Sequence, residues 1–113
     1  MTSSQLPNYL VSNRKRLSLS QDEVAFLLGT QSGSKVSRYE RFASKPSLET
    51  ALAFEVIYQR STSELFGGLY QKVEQEVLAR AKTLAERTNK GKPNRLTAHK
   101  REILNNIANK SLN

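Results

Sequence analysis

Ser32, Ser34, Lys35, Ser37, Arg38, Arg41 and Lys45 form the set of side chains in this 113-residue chain best suited to a polyanion. Lysine and arginine donate to guanine N7 and O6, and serine hydroxyls bond to base edges or phosphates. Val36 and Tyr39, three residues apart, interrupt the set with apolar groups. On a helix that spacing turns Val36 and Tyr39 inward and leaves Ser34, Lys35, Ser37 and Arg38 outward. The expectation is a helix beginning near Ser32–Ser34, with one side buried and cations and hydroxyls on the other. That is the physical form of a helix that enters a DNA major groove. Lys35 and Arg38 are the leading base-edge candidates, with Ser34 and Ser37 beside them. Ser32, Arg41 and Lys45 are candidates for backbone phosphates, contacts that position a protein without specifying sequence.

Such a helix needs a partner to hold it. Ser20 followed by Glu23 is a capping box that opens a helix at Gln21. Val24, Ala25, Leu27 and Leu28 give that helix an apolar face, and Gly29 stops it. Upstream, Pro7 suits a first helical turn, with Ser4 or Gln5 before it. Leu6, Leu10 and Leu17, with Tyr9 or Val11, supply a buried stripe that Asn13 and Arg14 interrupt. The cluster Arg14-Lys15-Arg16 reads either as a phosphate contact or as a solvated helix end, where cations favour the dipole. Ser18 breaks this helix and Leu19 drops into the core. Downstream, Phe42–Pro46 is a loop and Ser47 caps a helix whose apolar content is Leu48, Ala51, Leu52, Phe54, Val56 and Ile57. Ser61 and Glu64 form a second capping box, opening a short turn that ends in Leu65-Phe66. Five short helices are therefore predicted in the first 66 residues, with no strand.

Composition excludes several classes. There is no cysteine, so disulfides and thiolate metal sites are ruled out, which fits a reducing cytoplasm. The opening MTSSQLPNYL lacks the layout of a signal peptide, and no apolar run reaches the length of a membrane span. The single histidine, His99, lies in a basic segment. There is no Gly-rich phosphate loop, no metal-ligand cluster and no nucleophile with an evident base. No enzyme activity, metal or cofactor is expected. The formal net charge of +8 favours a polyanionic partner. Residues 1–66 hold 8 Lys/Arg against 6 Asp/Glu, and residues 67–113 hold 10 against 4, so most of the excess lies late in the chain.

The pattern Leu19-Ser20-Gln21-x-Glu23-x-Ala25, Gly29, Val36-Ser37-Arg38-Tyr39-Glu40-Arg41, Pro46-Ser47-Leu48-Glu49-Thr50 and Ser63-Glu64-Leu65-Phe66 resembles the Cro/lambda-repressor-like, or XRE-type, helix-turn-helix family. The resemblance spans about residues 5–66. It implies an all-α, five-helix domain whose third helix reads the major groove, in a transcriptional regulator that dimerises on a two-fold operator. It also implies that Gln21 anchors a phosphate and that Arg14 and Glu40 form a partly buried ion pair. Two departures are visible. Val36 comes seven residues after Gly29, where the family has six, and Asn13 replaces an apolar residue.

The remainder, 67–113, is read as a helical C-terminal extension after a break or hinge at Gly67-Gly68. Leu69, Val73, Val77, Ala81 and Leu84 recur every three or four residues in one helix, about 30 Å long at 1.5 Å per residue. Asn89–Asn94 is a second break, and Thr97 is expected to cap a last helix carrying Ile103, Leu104 and Ile107. These stripes either pack on each other or pair with a second copy, with Leu69, Val73, Val77, Ile103, Leu104 and Ile107 as interface candidates. The expected partners are double-stranded DNA and a second copy of the chain, with no membrane. The alternative function is the antitoxin of a toxin–antitoxin pair, which adds a protein partner, a toxin or an anti-repressor.

Overall fold

The computed structural model describes residues 7–91 and 94–109. They form seven helices and no strand: α1 (Leu10–Arg16), α2 (Gln21–Leu28), α3 (Gly33–Glu40), α4 (Leu48–Tyr58), α5 (Thr62–Leu65), α6 (Gly67–Asn89) and α7 (Arg95–Ala108). The chain divides into two compact units, one ending at Tyr70 and the other starting at Gln71, so the boundary falls inside α6. No described helix is long and apolar enough to cross a membrane.

Local chemistry sets most helix ends of the first unit. Ser20 and Glu23 form a capping box, as do Ser61 and Glu64, and the Ser47 hydroxyl accepts from the Thr50 amide. Gly29 ends α2 in the left-handed conformation at φ 80°, where a side chain would be strained. Helix α1 starts later than Pro7 suggests, because the Asn8 carboxamide oxygen accepts from the Leu10 amide and fixes the entry there. Ser4, Gln5 and Leu6 lie outside the described residues. Leu10 is buried and Leu17 partly buried, whereas Tyr9 and Val11 are exposed.

The core of this unit gathers Leu10, Val24, Ala25, Val36, Tyr39, Ala51, Phe54, Tyr58, Leu65 and Phe66. Phe54 sits at its centre. Its ring meets Tyr39 edge-on at 5.9 Å, stacks with Tyr58 at 5.7 Å and meets Phe66 at 6.1 Å. Such pairs are each worth about 0.5–1.5 kcal/mol beyond area burial. The apolar face expected for α2 is corrected at Leu27, which is 53% exposed, because Val24 and Ala25 alone turn fully inward. On α4, Leu48, Leu52 and Val56 lie on the outer side, while Ala51, Phe54 and Tyr58 face the core.

Two expectations for the later chain are also corrected. Gly67 and Gly68 are the first turn of α6 and not a break. A Cβ on Gly68 would stand 2.6 Å from Pro7 Cδ and O, so the glycine permits backbone approach, sealed by the Gly68 amide donating to the Pro7 carbonyl at 3.0 Å. The cap of α7 is Asn94. Thr97 closes the box from inside, its hydroxyl oxygen accepting from the Asn94 amide. In the second unit Ala81 and Ala85 of α6 pack with Leu104 of α7, and Ala108 lies against them.

Tyr58 carries a stability prediction. Its hydroxyl is buried without a hydrogen-bond partner among the described residues. Burial, with a smaller contribution from the Glu40 charge, pushes its pKa from 10.0 to about 12, against the opposing pull of Arg14. Above pH 10 the unfolded chain loses this proton and the folded chain keeps it, so stability falls as pH rises toward 12. Tyr58→Phe is expected to be neutral or stabilising by up to about 1 kcal/mol at pH 7, since it removes an unsatisfied polar group. It should also flatten the decline between pH 10 and 12. Urea denaturation across that range checks both, and a Phe variant weakened by several kcal/mol contradicts the reading.

Candidate nucleic-acid interface

Helices α2 and α3, joined by residues 29–32, make the most extensive helix–helix contact among the described residues. The approach is closest at their N-termini. A Cβ on Gly33 would lie 2.6 Å from Asp22 Oδ1 and 3.0 Å from the Asp22 amide nitrogen, so only glycine fits without displacement. The Gly33 amide donates to Asp22 Oδ1 at 2.9 Å. Asp22 thus serves the start of α3, where Ser32 makes no side-chain cap and its hydroxyl instead pairs with that of Ser34 at 2.7 Å. The longer connection between Gly29 and Val36 is absorbed as this turn, with α3 beginning at Gly33.

The other end of α3 is held by Glu40. Its carboxylate accepts from Arg14 Nε at 2.6 Å and Nη2 at 3.3 Å, and from Gln21 Nε2 at 2.9 Å. The Glu40 side chain is only 4% exposed. Arg14 also donates to the Leu19 carbonyl at 3.1 Å. The hydrogen bond to Glu40 raises the Arg14 pKa further above its already high value, against the effect of its burial. Asn8 completes this end, its carboxamide donating to the Tyr39 and Glu40 carbonyls at 3.3 Å each. The Tyr39 carbonyl also accepts from the Phe42 amide at 3.0 Å.

Between its clamped ends α3 buries Val36 and Tyr39 and exposes Ser34, Lys35 and Arg38, with Ser37 half-buried. Arg41 and Lys45 follow it, both exposed. Among the described residues the ion pairs are Arg14–Glu40 and Lys72–Glu76, so Lys35, Arg38, Arg41 and Lys45 face no carboxylate within pairing distance. Two open grooves flank the helix. One is lined by Ser20, Gln21, Asp22, Gly33, Ser34, Ser37, Arg38 and Arg41, the other by residues 29–32 with Lys35 and Arg38. Arg38 borders both. Every base-edge candidate is therefore on one solvent-facing strip. Gln21, read as a phosphate anchor, has its amide nitrogen engaged with Glu40 and extends the ion pair into a three-residue cluster.

Asp22, Gly33 and Asn8 were not singled out from sequence as holding α3. Arg16 also has a partner: it donates to the Tyr58 carbonyl at the end of α4 at 2.7 Å and to Asn13 Oδ1 at 3.1 Å. Asn13 in turn donates to the Tyr9 carbonyl at 2.8 Å, which gives this polar residue a place in α1. Among the interface candidates, Leu69 packs on the core of the first unit and Leu104 is buried against Ala81 and Ala85. Val73, Val77, Ile103 and Ile107 remain exposed. Lys92 lies outside the described residues, and His99 is exposed on α7. No group of three or more metal-ligating side chains forms among the described residues. Comparisons with family models, curated proteins and solved structures returned no match.

The clamp gives two measurable consequences. Removing Glu40 alone or Arg14 alone is expected to cost about 1–3 kcal/mol more than removing both, because a buried charge is left unpaired. A double-mutant cycle in urea without coupling contradicts this. Gly33→Ala is expected to destabilise by about 1–3 kcal/mol through overpacking against Asp22, and an unchanged midpoint contradicts the close approach.

Proposed function

We propose that the chain is a sequence-specific, double-stranded-DNA-binding transcriptional regulator of the Cro/lambda-repressor-like helix-turn-helix type. In this reading it is a cytoplasmic repressor that acts as a homodimer on an inverted repeat. One observation carries the reading: Lys35 and Arg38 stand exposed and unpaired on the outer face of a helix clamped at both ends. A helix so held presents donors in fixed register, which base readout requires.

In the proposed complex α3 lies in the major groove with Lys35 and Arg38 toward base edges. Ser34 and Ser37 bond to bases or phosphates, and Arg41 and Lys45 meet the backbone. Asp22 holds the start of α3 and leaves its own Oδ1 occupied by Gly33. Glu40, the one carboxylate on α3, is neutralised by Arg14 and so does not repel phosphate. Two recognition helices about 34 Å apart match one turn of duplex. Cations of the C-terminal region, such as the exposed Arg95, add a sequence-independent contribution that weakens with salt.

Selection of bound fragments from random DNA supplies the site. Arg38→Ala is expected to cost about 1–3 kcal/mol on that site and to relax preference at one base pair. Arg95→Ala is expected to weaken all sequences alike and to lower the salt slope by about 1. Equal affinity for selected and scrambled duplexes at two salt concentrations, unchanged by Lys35→Ala and Arg38→Ala, overturns the proposal.

A further inference from the structure

We infer that the second unit is half of a four-helix bundle, completed by a second copy whose α6 runs antiparallel to the first. This rests on the dimeric part of the reading above and specifies its geometry.

The unit is under-filled by itself. Among the described residues its buried side chains are Ala81, Ala85 and Leu104, two of them single methyl groups. That is little apolar area to set against the entropy of ordering two helices. Meanwhile Val73, Val77 and Leu84 of α6 are each about 45% exposed, and Ile103 and Ile107 of α7 are 46% and 36% exposed.

These exposed residues share one side of the unit. Leu84 directly precedes the inward-facing Ala85, and Ile103 and Ile107 directly precede Leu104 and Ala108. A step of one residue is about 100° of helix rotation. Because α7 turns back on α6, the rotation carries both sets to the same side. Val73, Val77 and Leu84 also keep heptad spacing, the pattern of a helix seam.

Charge along α6 selects the partner and its direction. Glu74 and Glu76 flank the seam near Val73 and Val77, whereas Arg80 and Arg87 occupy seam positions toward the other end. Parallel copies would stack Arg80 on Arg80 and Arg87 on Arg87. Antiparallel copies, with the two-fold axis between residues 77 and 80, set Val73 against Leu84 of the second copy. The same register sets each Arg80 opposite Val77, beside Glu76, and moves the two Arg87 side chains about 25 Å apart along the axis. The exposed Lys72–Glu76 pair, at 3.5 Å, is easily exchanged for that contact.

The chain has no cysteine, which makes cross-linking clean. Val73→Cys and Leu84→Cys full-length chains are mixed in urea, refolded together and oxidised. A disulfide joining residue 73 of one chain to 84 of the other is expected, at a yield well above that for Gln75→Cys on the opposite face. Each variant alone should give no more than that background, since equivalent residues would stand about 16 Å apart along the axis. Disulfides within either single variant above background mean parallel pairing and overturn the inference. Sedimentation of the unsubstituted chain guards against a folding defect. It should report twice the 12.7 kDa chain mass at micromolar concentration, and a monomer throughout overturns the inference. Neither readout involves DNA, so a dimer that ignores duplex leaves this inference standing and removes the other.

Discussion

The first unit depends on a single buried carboxylate. Glu40 has three donors converging on it from α1 and α2, and its own side chain is nearly inaccessible. Desolvating a carboxylate is costly, and only a set of donors with good geometry offsets it. The set therefore works less as added stability than as a constraint. One register of α3 against α1 and α2 satisfies it, and neighbouring registers leave a buried charge. Gln21 opens α2 and Arg14 lies on α1, so the same carboxylate ties together three of the helices around Phe54.

The opposite end of α3 obeys a different constraint. There backbone approaches backbone, and a hydrogen atom at Gly33 replaces what would be a collision with Asp22. A polar clamp at one end and a steric fit at the other leave the helix little freedom to roll. Its buried residues, Val36 and Tyr39, then determine by elimination which side faces out. The unpaired cations on that outer side follow from the packing beneath them.

What could be read from the sequence was what is local. The capping boxes at Ser20 and Ser61 span three residues, and Gly29 acts on its own backbone, so both were legible. Val36 and Tyr39 were legible because their spacing matches the helical repeat. The Arg14–Glu40 pair was anticipated through resemblance and not through periodicity. Contacts between distant polar residues were not legible. Asp22 meets Gly33 across 11 positions and Arg16 meets Tyr58 across 42, and each reads locally as a solvated side chain. Leu27 was misplaced because five consecutive apolar residues, Val24 to Leu28, fit more than one face of a helix. The cap of α7 was placed three residues late because the Asn94–Thr97 box has a capping residue at both ends.

In the proposed function the clamped α3 presents its outer face to duplex DNA. Backbone amide chemical shifts, followed while a selected duplex is titrated into the full chain, test it most directly. The largest changes are expected between Gln31 and Arg41, with smaller ones at Gln21 and Asp22. Changes confined to residues beyond Gln71, with α3 silent at saturation, would contradict it.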